Sequence, residues 1–192
     1  MKPKRCKVCK DEFTPARPMQ RVCGMLCAKI EAERVTIKKS ARLERDQKKE
    51  TRAKLESMKG LPGLLAEAQK AFNAYIRLRD HDKPCICCGN LPQSAHLTGG
   101  DWDAGHFRSV GAAGHIRFNE DNVHRQLKKC NRRAFDVSAY RANLIARIGL
   151  ERVEALENDN TPHKWTREEV RAIRDKYKAL AKNILQLSNS AL

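Results

Sequence analysis

Residues 101–133 read DWDAGHFRSVGAAGHIRFNEDNVHRQLKKCNRR. Short apolar runs are broken there by Gly and Asn, a pattern that predicts two short strands followed by a helix. The same stretch is dense in groups that bind metals or move protons: Asp101, Asp103, His106, His115, Asn122, His124, Cys130 and Asn131. Immediately upstream, PCICCGN at residues 84–90 adds Cys85, Cys87 and Cys88 in what reads as a knuckle-like turn.

The other four cysteines stand near the start of the chain. Cys6-x2-Cys9 and Cys23-x3-Cys27 form two close pairs joined by a short segment. Zinc takes four thiolates tetrahedrally at about 2.3 Å, and two such pairs supply them. A unit of this size buries too little apolar surface to fold alone, so the metal would supply the folding energy. Two cysteine clusters in a chain whose basic start is followed by no apolar stretch argue for metal thiolates in a reducing compartment rather than disulfides.

The 192 residues carry 39 Lys+Arg against 23 Asp+Glu, a formal charge of +16. Clustered Lys and Arg gain affinity for a polyanion by releasing its counterions, so nucleic acid is the expected partner. No run approaches the ~20 apolar residues of a membrane helix, so no membrane association is expected. Aromatics are only 5% of the chain, which disfavours an RNA-binding protein built on base stacking. Residues 28–59 contain no Gly or Pro and hold 11 basic and 6 acidic residues. Their apolar residues are too irregular for a heptad seam. They predict a long exposed basic helix, supported by i,i+4 pairs such as Glu44–Lys48.

Residues 1–59 hold +10 of the net charge, and Gly60-Leu61-Pro62-Gly63 ends the arm. Beyond it, Leu65, Ala68, Phe72, Tyr75 and Ile76 recur at helical spacing between Leu64 and Arg79. Residues 138–157 read as helix jointed at Gly149. Thr166-x-x-Glu169 is a capping box before the stripe Val170, Ile173, Tyr177, Leu180 and Ile184. Three segments follow: a four-cysteine zinc finger at 1–27, a basic helical arm at 28–59, and a domain at 60–192.

Asn122-Val-His-Arg-Gln-Leu-Lys-Lys-Cys130-Asn131 resembles the end of the HNH nuclease motif, whose ββα-metal unit opens with a histidine on a strand. More narrowly, PCICCG, WDAGHF, IRFNEDNVH and HKWTREE, in that order, resemble the NinG/Rap recombination endonucleases of lambdoid phages. The resemblance implies an α+β, mainly helical fold: a small zinc finger, a long basic helix, and an HNH-like core with C-terminal helices. It implies a metal-dependent endonuclease cutting branched recombination intermediates, of Holliday-junction or D-loop type, in the host cytoplasm. Branched or double-stranded DNA is then the partner. Cutting two strands favours a homodimer, and phage recombination proteins are further expected partners.

Within that resemblance His106 is the general base, since a neutral imidazole suits water activation. Asn122 bridges the loop to orient it. Asp103 and Asn131 are the ligands of Mg²⁺ or Mn²⁺, hard ions that prefer oxygen. Arg108, Arg117, Arg125, Lys128 and Lys129 would flank the scissile strand. Cys85, Cys88 and Cys130 imply a second structural zinc, for one or two per chain. The sequence departs from the family where Arg133-Ala-Phe-Asp replaces a Lys-Ser-Gly-like segment, and at two further points. Gly105 stands where many HNH relatives carry an acid, and Leu127 stands where a fourth cysteine is usual. The fourth zinc position falls to Cys87, His124, His96 or water, or that zinc is absent. The competing reading is a non-catalytic, zinc-containing DNA-binding protein with a degenerate HNH core.

Overall fold

The computed structural model describes residues 1–91, 100–133 and 136–190, with side chains as far as residue 188. The chain divides into two compact units, Met1–Lys59 and Gly60–Leu192. No helix among the described residues is long and apolar enough to cross a membrane.

The first unit opens with a small antiparallel hairpin, β1 (Lys4–Arg5) on β2 (Glu12–Phe13), in the register Lys4↔Phe13 and Arg5↔Glu12. The long helix α1 follows, Met25–Met58. It starts inside the stretch read as finger, so finger and arm share one element. The physical reason lies in the Cys23-x3-Cys27 spacing, which lets the first helical turn bring Cys27 back toward Cys23. Thirty-four residues give a rod about 51 Å long. None of its side chains is buried, and Val35, Ile37, Leu43 and Leu55 are exposed singly along it. Ion pairs Lys48–Glu44, Arg42–Asp46 and Lys59–Glu56 run along the helix, each worth a few tenths of a kcal/mol at ~0.3–0.5.

The second unit begins with α2, Leu61–Arg79. This is earlier than the expected start at Leu64. Pro62 lies in the first turn, where its missing N–H leaves no helical bond unmade, so the Gly-Leu-Pro-Gly break initiates a helix as well as ending one. The last helix, α6 (Arg167–Ser190), packs along α2. Thr166 and Glu169 make the capping box at its start, with Thr166 N–H on Glu169 Oε2 at 2.8 Å and Glu169 N–H on Thr166 Oγ1 at 3.2 Å. Leu64, Ala68, Phe72 and Ile76 of α2 meet Val170 and Tyr177 of α6 in one core. Phe72 sits edge-on to Tyr177 with ring centroids 4.7 Å apart.

Between those helices in sequence lies the hairpin of β3 (Trp102–His106) and β4 (Val123–Leu127), followed directly by α3 (Lys128–Arg132). The two strands and helix fall where the sequence predicts them. The strands are antiparallel, pairing Trp102 with Leu127, Asp103 with Gln126, Gly105 with His124 and His106 with Val123. Ala104 and Val123 insert into the α2–α6 core. Helices α4 (Val137–Ile148) and α5 (Leu150–Asn158) meet at Gly149, whose φ of 89° suits glycine. Tyr140, Leu144, Val153 and Leu156 from this pair enclose Ile86, Phe107 and Ile116 in a second core. The strands thus pack on the first core, and the loop that joins them packs on the second through Phe107 and Ile116.

Candidate metal and catalytic centre

All eight cysteines are free thiols. The Sγ atoms of Cys6, Cys9, Cys23 and Cys27 lie within 4.8 Å of one another. Cys9 to Cys23 and Cys23 to Cys27 are each 3.6 Å. Four sulfurs at 2.3 Å from a tetrahedral ion stand about 3.8 Å apart, so this donor set fits zinc. Desolvation raises the Cys6 thiol, but backbone N–H groups of Cys9, Val8 and Cys23 outweigh it and bring it down to about 6. The neighbouring Cys9, Cys23 and Cys27 thiols are pushed up in turn, so without a metal the cluster favours a single thiolate, at Cys6.

The two Cys-x-x-Cys turns share one backbone design. Cys6 N–H donates to Asp11 O at 2.8 Å, and Lys10 N–H to Cys6 O at 3.0 Å. In the second, Cys85 N–H donates to Asn90 O and Gly89 N–H to Cys85 O, both at 2.9 Å. The residue after each pair, Lys10 or Gly89, has φ of 71°. Only the second knuckle places glycine there, so the first carries some backbone strain.

The second cluster brings together Cys85, Cys88 and Cys130 within the same 4.8 Å limit. The other proposed ligands are occupied elsewhere. Cys87 is buried with its Sγ turned to Asp136 O at 4.0 Å, and His124 contacts Arg79, Asp80 and Asp121. His96 lies outside the described residues. Leu127 packs against Cys85, Cys87, Cys130 and Trp102, with its N–H on Cys85 Sγ at 3.3 Å. Three thiolates fit zinc with one position left to another donor.

His106 ends β3 half-buried, its Nε2 3.2 Å from Arg117 O. A carbonyl only accepts, so Nε2 carries the proton and Nδ1 keeps its lone pair. Desolvation pulls this imidazole below its usual value, partly opposed by the Arg117 carbonyl, so it is neutral at pH 7. Asn122 is fully buried and clamps the loop after β3: its Oδ1 accepts from Arg108 N–H at 2.8 Å, and its Nδ2 donates to Arg108 O at 3.0 Å. It orients the loop rather than touching the imidazole.

Asp103 and Asn131 do meet, with Asn131 Nδ2 3.2 Å from Asp103 Oδ2, and Arg132 Nε reaches the same oxygen at 3.2 Å. Turning the Asn131 amide over would present two oxygens to a cation, so the pair fits a hard ion once Arg132 releases the carboxylate. By strand alternation Asp103 lies on the opposite face of β3 from His106. Among the described residues no hydrogen bond joins His106 to Asp103, Asn122 or Asn131.

Two of the arginines expected to grip DNA are committed inward. Arg125 is buried, its guanidinium 3.9 Å over the Trp102 ring and bonded to Asp80 O and His81 O. Arg108 holds Leu156 O, Asp159 O and Asn160 at the end of α5. Arg117 is part-buried with Nε on Gln69 Oε1 at 3.0 Å, Lys128 is tied to Gly100 O, and Lys129 is exposed. His115 Nε2 contacts Asp159 O at 2.8 Å, a structural tie.

Sequence reasoning overlooked Asp80, a fully buried carboxylate that receives Arg79 through Nε at 2.9 Å and Nη2 at 2.8 Å, Lys83 at 3.1 Å, and Arg125 N–H at 3.2 Å. Desolvation raises its pKa, but His124 and Arg79 outweigh it and hold the carboxyl far below the usual range. Its place at the end of a helix ending Arg-Leu-Arg-Asp carried no signal of burial. Tyr140 OH, donating to Gly105 O at 2.9 Å, is a second tie that spacing could not show.

The family model described as bacteriophage lambda NinG protein matches residues 1–186. The chain belongs to the NinG family. Protein ninG of Escherichia phage 933W is 38% identical over 196 residues, covering 94% of this chain and 93% of the relative. That of Enterobacteria phage H19B is 38% identical over 183 residues, with 89% and 88% covered. That of Escherichia phage lambda is 44% identical over 121 residues, with 62% and 56% covered. No solved structure matches. The NinG match spans both cysteine clusters, the basic helix and the hairpin.

Proposed function

We propose that this NinG-family chain is a metal-dependent endonuclease that cuts branched DNA intermediates of phage recombination. The observation that carries the reading is His106, a neutral imidazole at the end of β3 whose Nε2–H is fixed by Arg117 O and whose Nδ1 is left to accept a proton. The strand–strand–helix order around it supports the same reading, and Asp103 and Asn131 meet each other on the opposite face of β3. In the proposed reaction Nδ1 takes a proton from the attacking water. Asn122 keeps the following loop in register, and Asp103 and Asn131 would hold the ion. Mg²⁺ or Mn²⁺ bound there would supply Lewis-acid stabilisation of the scissile phosphate. Exposed Arg132 stands at this point, with exposed Lys129 one turn earlier on α3, and the net +10 of residues 1–59 would provide sequence-independent grip on phosphates.

The deciding experiment offers the full chain a synthetic four-way junction, a matched duplex and a structured RNA at one stated salt concentration, with Mn²⁺ titrated against chelator. Metal-dependent cutting of the junction, reduced about 10²–10⁴-fold in His106→Ala, is the expected result. Junction binding with no cleavage at any metal concentration would instead make this a DNA-binding zinc protein without catalysis.

A further inference from the structure

Gln126 is fully buried in β4, and among the described residues neither Oε1 nor Nε2 of its amide has a hydrogen-bond partner. Natural cores rarely leave a whole amide unpaired, because its desolvation is then uncompensated. The side chain lies over Gly105. A Cβ at that position would stand 1.8 Å from Gln126 Oε1 and 2.8 Å from its carboxamide carbon. A side chain at residue 105 would force the Gln126 amide to move, and the amide takes the space that side chain would fill.

Pairing of Asp103 with Gln126 across the hairpin sets both on the same face as Gly105. Asn131 reaches that face from α3, 3.2 Å from Asp103. Oxygen-bearing side chains of β3, β4 and α3 are thus neighbours, and one has both polar atoms unsatisfied. The Asp103 carboxylate gives the group the sign of a cation site. Arg132 now balances that charge at 3.2 Å, from a side chain exposed enough to swing away.

We propose that Gln126 Oε1 is a ligand of a hard divalent cation shared with Asp103 and Asn131. The inference rests on reading those two residues as the cation pair of the proposed nuclease. Amide oxygens are ordinary ligands for such ions, and one carboxylate with two amides leaves positions open for water and a phosphate oxygen. The choice of Gln126 and Gly105 then has a common cause: the ligand comes across the sheet from β4, and β3 makes room for it.

The test is Mn²⁺ binding by the zinc-loaded full chain, followed through the spin-resonance signal of free Mn²⁺. Wild type is expected to bind one Mn²⁺ outside the thiolate clusters. Gln126→Met should weaken it by about tenfold or more. Gln126→Glu should tighten it, because the added charge suits a hard cation. Thermal unfolding without Mn²⁺ verifies that both variants fold. The proposal is overturned if folded Gln126→Met binds Mn²⁺ like wild type, if Gln126→Glu binds more weakly, or if wild type binds none. A packing role would not move the two variants in opposite directions. Should binding follow the expected pattern while no DNA is cut, the nuclease reading falls and the cation site stands. Cutting whose Mn²⁺ dependence is unchanged in Gln126→Met has the reverse meaning.

Discussion

Removing the Asp80 carboxylate should cost the second unit more than any change on its surface. The side chain is fully buried and takes two hydrogen bonds from Arg79, one from Lys83 and one from Arg125 N–H, with His124 Nδ1 at 3.5 Å. It ties the end of α2 to the middle of β4, the strand that carries Gln126 and leads into Asn131. Asp80→Ala leaves cations without their counter-charge, for which about 3–5 kcal/mol is expected. Arg79 and Lys83 retain some exposure, 20% and 42%, and can recover part of that from water, so the lower end applies.

At roughly 4 °C per kcal/mol for a domain of this size, Tm should fall by about 12 °C. Asp80→Asn keeps an acceptor for Arg125 N–H and should lose about half as much, near the ~1.5 kcal/mol of a charge-assisted bond. Because the folded carboxyl is held below its ordinary range, its contribution is complete above the unfolded pKa of about 3.9. It drains away only as pH falls below that point. The deficit of Asp80→Ala should therefore be constant from pH 7 to 8, where His124 beside it is neutral, and the carboxyl's own share of it should shrink below about pH 4. Calorimetric unfolding of wild type and both variants across pH measures this. A Tm loss under about 4 °C at pH 7 would refute the account of the buried hub.

Leu127→Cys should add a fourth thiolate beside Cys85, Cys88 and Cys130. Zinc content by atomic emission should approach two per chain, and the second ion should resist chelator better than in wild type; unchanged values would mean Leu127 already closes this corner by apolar packing. Since desolvation lowers the His106 pKa, the acid limb of cleavage should fall below the free-histidine value of about 6.5, and an inflection above it would contradict a neutral base in that pocket. Deleting residues 1–59 removes +10 of charge and the whole first unit, so DNA affinity should drop and its salt slope flatten in a filter or anisotropy titration; an unchanged slope would place the phosphate contacts elsewhere.

What the residues alone determined is what depends on spacing along the chain. Two-residue and three-residue gaps between Cys6, Cys9, Cys23 and Cys27 are short-range geometry, and those four thiols do converge. The capping box at Thr166, the glycine joint at 149 and the stripe from Val170 to Tyr177 express helical period and local hydrogen bonding, which neighbours in sequence carry complete. The two strands and helix between residues 102 and 132 were legible for the same reason, through short apolar runs with clear breaks.

Only the tertiary structure decided which polar groups lose water and to whom they turn. Asp80 and Arg125 are 45 positions apart and meet because α2 ends against β4, so an ordinary acidic helix end becomes a buried hub and a basic residue expected on DNA becomes a structural tie. Cys87 looks like a fourth ligand in sequence, yet the turn of its knuckle points it to Asp136. Gln126 and Gly105 mean little apart. Cross-strand register puts one amide over the other's missing side chain, in a hairpin whose strands pack on the α2–α6 core. Such pairings carry no periodic signal, because desolvation and charge balance are set by partners that the chain brings together only once it has folded.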